Sequence, residues 1–151
     1  MKFFPRLLGR EETQRIIEDI ERTFDEHEMG LWATETKSNN EFIGFVGLWI
    51  PKFQASFTPC VEIGWRLLYE HWGQGYAPEA ARESLKDAFE RLDLKDIHSF
   101  TTVHNKNSIR VMEKIGMSHI DNFEHPSVPE GHFLRPHVLY HISKQDWLSK
   151  K

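Results

Sequence analysis

A single mixed domain of the α+β class, residues 1–151, is predicted by three features of the sequence. Two apolar strand-like runs flank a turn, a strand–helix–strand–helix succession fills the stretch from Val61 to Ile115, and an amphipathic helix precedes both. At 151 residues the chain has the size of one domain, which buries roughly 70% of the surface its unfolded form exposes. With 39% hydrophobic and 28% charged residues it falls among globular proteins rather than disordered or fibrous ones. The 19 Lys and Arg against 23 Asp and Glu leave a net charge of -4, so the chain lacks the basic footprint of a nucleic-acid binder. Cys60, the one cysteine, cannot form an internal disulfide, and the apolar start Met1-Lys2-Phe3-Phe4-Pro5 is too short for a signal peptide or a membrane span. These features read as a soluble cytoplasmic protein without nucleic-acid or membrane partners.

Glu11 and Glu12 stand where a helix N-terminus favours negative charge, and Ile16, Ile17, Ile20 and Phe24 recur at helical spacing, so a helix is expected up to about Gly30. Leu31 to Lys37 has strand character, Ser38-Asn39-Asn40 supplies turn chemistry, and Phe42 to Ile50 is an apolar run closed by Pro51, which together make a β-hairpin. After a loop rich in Phe, Thr and Pro comes a strand from Val61 to Leu68. Alternation puts Val61, Ile63, Trp65 and Leu67 on one face and Glu62, Gly64 and Arg66 on the other. A helix is expected from Pro78, its stripe formed by Ala81, Leu85, Ala88, Phe89 and Leu92. Ile97 to Val103 reads as the next strand and Ser108 to Ile115 as a helix stopped by Gly116. The strands at Val61 and Ile97 should therefore be parallel, joined by a right-handed crossover. Met117 to Asn122 and His137 to Ser143 are candidate closing strands.

Between strand and helix lies Trp72-Gly73-Gln74-Gly75-Tyr76-Ala77. Two glycines and an alanine at alternate positions allow close backbone approach, and the helix that follows directs its free N–H groups to the same place. The turn is an anion seat, suited to a diphosphate. A G-x-G turn alone is weak evidence, because a plain tight turn produces it too. The dinucleotide fingerprint needs a third glycine and an acidic residue ending the next strand, which here ends in Thr101-Thr102-Val103. A P-loop needs Gly-Lys-Ser or Gly-Lys-Thr, and neither occurs.

Three ordered motifs carry a family resemblance: Glu62-Ile63-Gly64-Trp65-Arg66-Leu67; the turn Trp72 to Ala77 followed by Glu79-Ala80; and Asn105, Ser108 and Val111-Met112-Glu113-Lys114-Ile115-Gly116-Met117. Together they resemble the GNAT N-acetyltransferases, and within them the branch related to ribosomal-protein alanine acetyltransferases, over about Phe3 to Ile142. The resemblance implies a three-layer fold. Its mixed, largely antiparallel sheet has helices on both faces and a central parallel strand pair that splays apart. It also implies acetyl-CoA (coenzyme A) as cosubstrate and a primary amine as acceptor, either a protein N-terminus or a small molecule, attacking directly in a ternary complex. The pantetheine arm is expected along Trp65, Arg66 and Leu67, and the diphosphate on Trp72, Gly73, Gln74, Gly75, Tyr76 and Ala77. Asn105 and Ser108 are expected near the sulfur. The family usually has Arg or Gln where this chain has Trp72.

An alkyl amine with a pKa of about 10 is mostly protonated at neutral pH and must lose a proton before it attacks. By the resemblance, Glu62 is the candidate general base, acting through a water. A surface Glu paired with Arg66 is the plainer alternative. The departing thiolate gains from a donor, for which Ser108 is the first candidate and Tyr140 the second. Helix capping by Asn105, Asn107 or Ser108, and core packing by Tyr140, account for the same residues without chemistry. The thioester oxygen can be met by a strand amide near Trp65.

Of nine histidines, seven fall from His98 onward, but no HExxH or paired cysteine accompanies them. His137 and His141 share a strand face about 13 Å apart. No metal site is expected, and Cys60 reads as a small apolar filler. His125, His132 and Arg135 lie in a loop that is either solvated or lines the acceptor pocket. The family usually begins with a further strand and helix before the segment matching Phe3-Phe4-Pro5, so a sheet of about six strands lacking the first is expected. That leaves the Leu31 to Lys37 edge open to a second copy, as in a homodimer, which Glu35 and Lys37 would discourage. A non-catalytic acyl-CoA-binding module is the rival reading.

Overall fold

The computed structural model describes residues 9–150. Helix α1 (Arg10–His27) opens with Glu11 and Glu12 in its first turn, and the Glu12 carboxylate accepts from the Gly9 amide. The antiparallel hairpin β1 (Leu31–Glu35) and β2 (Phe42–Trp49) follows, then β3 (Glu62–Leu67) and a short 3₁₀ turn at Tyr69–His71. Helix α2 (Tyr76–Lys86) runs on through one π turn at Asp87–Arg91 into β4 (Asp96–Thr102). Helix α3 (Lys106–Lys114), β5 (Ser118–Glu124), β6 (Pro136–Ser143) and α4 (Lys144–Ser149) complete the described chain.

The six strands form one mixed sheet in the order β1-β2-β3-β4-β6-β5. All neighbours are antiparallel except β3 and β4, the parallel pair expected at the centre. That pair meets only at Glu62 and His98, where the His98 amide donates to the Val61 carbonyl at 3.0 Å, and then the strands part. The question of a strand before Phe3-Phe4-Pro5 concerns residues outside the described ones.

Helix α2 packs across β2 and β3, and α3 across β4. The stripe expected for α2 is real: Ala81, Leu85, Ala88 and Phe89 are buried against Leu48, Ile63 and Ile97. Phe89 is the largest wholly buried side chain, and truncating it to Ala would cost about 3–5 kcal/mol. The π turn, marked by the Leu92 amide donating to Asp87, was not visible in the hydrophobic pattern. Two helix starts differ from expectation. Helix α2 starts at Tyr76, two residues before Pro78, because Gly75 at φ +83° turns the chain directly into it. Helix α3 starts at Lys106 rather than Ser108, because Asn105 caps it. Helix α4, capped by the Ser143 hydroxyl accepting from the Asp146 amide, was not anticipated.

Candidate active site at the strand splay

Register determines what the splay offers. The Leu68 amide donates to Ile43, and β2 pairs with β3 without interruption from Gly44–Leu67 to Trp49–Glu62. In an antiparallel ladder, backbone groups alternate in direction. Glu62, Gly64 and Arg66 therefore bond to β2, while Ile63, Trp65 and Leu67 direct their N–H and C=O groups toward β4. Two of these carbonyls are engaged. The buried Ser99 hydroxyl donates to the Ile63 carbonyl at 2.8 Å, and the Trp72 indole Nε1 donates to the Leu67 carbonyl at 2.8 Å. Ser99 is thus a strut where the strands begin to part, and Trp72 ties the following turn to the end of β3. Sequence reasoning missed Ser99, whose role depends on the strand separation. It located Trp72, whose indole now has a defined structural bond.

The turn Trp72 to Ala77 has the geometry expected of it. Gly73 and Gly75 have φ of +75° and +83°, and a Cβ at either would meet nothing within 4 Å. These glycines are therefore required by conformation, and the space beside them is open. No side chain caps the N-terminus of α2, so the amides of Tyr76 and Ala77 lie in its uncapped first turn. Gln74 folds back, its Nε2 donating to the Glu70 carbonyl, and Tyr76 lies near the His71 ring.

Across the splay, Trp65 Nε1 donates to Ser108 Oγ at 3.2 Å. Ser108 is the third residue of α3. Its amide donates to Asn105 Oδ1, also at 3.2 Å, and Asn105 Nδ2 donates to Thr101 Oγ1. Capping therefore belongs to Asn105, and the Ser108 hydroxyl is left to meet the indole. Tyr140 is buried in β6 opposite Ser99, and its ring contacts His119. Burial foremost, and Glu113 with it, raises the phenol pKa. The structure does not bring Tyr140 to Glu62 or Ser108 through any of these contacts.

Glu62 lies on the face of β3 opposite Trp65. Glu62 is part-exposed, and desolvation pushes its carboxyl pKa up to about 8. Burial also lowers the pKa of Arg66, four residues along on the same face. Cys60, pushed up to about 11 by burial and then by the Glu62 charge, keeps its proton and fits the filler role. Around Glu62 the face is aromatic, as Phe53 and Phe57 of the loop after β2 pack on Phe100 of β4 and Phe123 of β5. Of the loop residues suspected of lining a pocket, His125 joins this cluster, 4.3 Å from the Phe53 ring. His132 stacks on Phe133, and Arg135 bonds to the Val128 carbonyl and Glu124. Among the described residues, no three metal-ligating side chains converge, and no helix is long and apolar enough to cross a membrane.

Residues 1–118 match the family described as acetyltransferase (GNAT) domain. The FsC-acetyl coenzyme A-N(2)-transacetylase of Aspergillus fumigatus is 36% identical over 120 residues, 69% of this chain; the chain spans about half of that relative, 48% of its length. The acetyltransferase (GNAT family) of Bacillus anthracis superposes with a TM-score of 0.74 at 25% identity, covering 96% of this chain and 81% of its own. The ribosomal-protein-S5-alanine acetyltransferase of Vibrio fischeri shares the fold, with a TM-score of 0.69 at 19% identity over 89% of this chain and 71% of its own. A parallel pair that parts beyond one bridge, a glycine turn entering a helix and a matching family description agree: the chain belongs to the GNAT acetyltransferases.

Proposed function

We propose that this chain, acting as one domain, transfers an acetyl group from acetyl-CoA to a primary amine by direct attack in a ternary complex, with no covalent enzyme intermediate. The observation that carries this reading is the gap between β3 and β4, into which Trp65 and Leu67 direct main-chain groups while Glu62 and Ser108 flank it from opposite faces. An extended thioester arm fits along the open side of β3 as a strand-like partner. The diphosphate fits the uncapped N-terminus of α2, where open space beside Gly73 and Gly75 leaves room for it.

The residues then divide the work. Glu62, with its pKa near 8, is a stronger base than an ordinary carboxylate and takes the proton that the amine loses as its nitrogen bonds to the carbonyl carbon. The Trp65 amide donates to the carbonyl oxygen as it gains charge. When the carbon–sulfur bond breaks, the Ser108 hydroxyl donates to the departing thiolate, its orientation set by the indole of Trp65. Asn105 holds the first turn of α3 in place. Arg66, on the Glu62 face, borders the acceptor side.

The test is thiol release from acetyl-CoA with a panel of peptides and small amines, repeated on Glu62→Gln. Turnover that collapses in the variant while acetyl-CoA binding persists supports the assignment. An unchanged rate with intact binding overturns Glu62 as base, and binding without turnover for any amine leaves a non-catalytic acyl-CoA module.

A further inference from the structure

The acceptor face holds more than Glu62. The loop from 50 to 61 lays Phe53 and Phe57 over the sheet, with ring centroids 5.4 and 5.9 Å from Phe100. Phe123 approaches Phe57 to 5.0 Å. Every one of these rings remains part-exposed, so they line a surface rather than fill a core. Phe57 also stacks on His98, the residue paired with Glu62 across the parallel strands. The ring wall is thereby continuous with the carboxyl.

Two further observations indicate that something is received here. A Cβ on Gly64, the next residue along the face of Glu62, would meet nothing within 4 Å, so there is open space at that position of the face. The buried Nδ1 of His98 has no hydrogen-bond partner, and a buried polar atom left unpaired is costly unless a ligand or water reaches it.

The charge around this space is sparse. Residues 50–61 contain no Asp or Glu. The acid that β4 adds to this face, Asp96, is held by His141 at 2.7 Å on an exposed rim. Asp121 of β5 accepts from the Asn122 amide, and Glu124 pairs with Arg135. Burial lowers the pKa of His98, His125 and His137, keeping all three imidazoles neutral at pH 7. A polyamine, which needs carboxylates spaced along its length, meets along this loop and β3 the single carboxylate Glu62, with Arg66 on the same face.

We infer that the acceptor is a monoamine whose nitrogen sits two or three bonds from an aromatic ring, the ring lying against Phe53 and Phe57 and the nitrogen in the space between Gly64 and Glu62. Aromatic faces suit both parts, through ring packing and through attraction for the amine while it is still charged. The inference rests on the acetyl-transfer reading of the same site.

Phenethylamine, hexylamine and spermidine serve as probes, with thiol release giving kcat and KM, and calorimetry in the presence of CoA giving binding. The expected kcat/KM for phenethylamine is at least tenfold above that for spermidine or hexylamine. Phe57→Ala should raise the phenethylamine KM at least tenfold and change that of spermidine much less. Phe57→Leu keeps bulk in case the alanine variant is unstable, and should still raise the phenethylamine KM. Gly64→Val, in ordinary extended backbone, should fill the space and block the amine while acetyl-CoA still binds.

A preference for spermidine, or equal losses for all three amines in Phe57→Ala, overturns the inference and leaves acetyl transfer standing. If no amine turns over but calorimetry shows phenethylamine binding that Phe57→Ala abolishes, the ring site stands and the acetyl-transfer reading falls. No phenethylamine binding by either method, or a dimer in sedimentation that Phe57→Ala dissociates, overturns the inference.

Discussion

Trp65 and Ser108, 43 residues apart in sequence, are joined by one hydrogen bond of 3.2 Å from indole to hydroxyl, and this bond spans the gap between β3 and α3. The indole occupies one lone pair of the hydroxyl oxygen and leaves its proton free to point elsewhere. Ser108→Ala should lower kcat by about 10²-fold while leaving acetyl-CoA affinity within a few-fold. Ser108→Thr, which keeps the hydroxyl, should recover most of the rate. Single-turnover kinetics with calorimetric binding separate the two effects.

Glu62→Gln should lower kcat by about 10²- to 10⁴-fold. In the parent protein kcat/KM should climb with pH through a half-maximum near 8, where the carboxyl is half ionised, and level off above it. That limb should vanish from the residual activity of the variant.

The same carboxyl sets a pH dependence of stability. Its folded pKa of about 8 lies above its ordinary 4.5, so between those values the folded state holds a proton that the unfolded state has released. Stability therefore falls as pH rises through this window and stops falling above about 8. Relative to the parent, Glu62→Gln should gain in melting temperature across the same window, as followed by circular dichroism in buffers from pH 4.5 to 9.

Gly75→Ala places a side chain at φ +83° without any collision, since no atom lies within 4 Å of the new Cβ. The cost is conformational, about 1–2 kcal/mol by urea titration. Binding of acetyl-CoA should weaken more than stability alone accounts for, because the methyl group enters the open space proposed for the diphosphate.

Ser99→Ala leaves the buried Ile63 carbonyl without its donor. A loss of about 1–3 kcal/mol is expected in chemical denaturation, with a raised KM for acetyl-CoA because the strands lose the strut that keeps them apart.

Much of this architecture could be read from residue pattern. The alternation from Val61 to Leu68 put Glu62 and Trp65 on opposite faces, and the apolar stripe of α2 gave its buried side. The glycine turn announced itself through positions that require positive φ. Helix starts were less legible. Asn105 and Ser108 are both competent caps, and only geometry shows that Asn105 takes the role. The π turn at Asp87–Arg91 and the strut at Ser99 left no periodic signal, because each depends on contacts made after the strands have parted. The aromatic wall was hidden for a related reason. Phe53, Phe57, Phe100 and Phe123 lie in three separate segments, and the sequence marked only the first as a loop rich in Phe. Tyr140 looked like a donor by residue type, yet in β6 its ring is buried and packs against His119.

Because Ser99 and Trp72 hold the carbonyls of Ile63 and Leu67, no strand has to be peeled from its neighbour before a ligand can dock. Arrival should then be limited by encounter rather than by a preceding rearrangement of the sheet. Differences in affinity among variants of this cleft should appear as residence time.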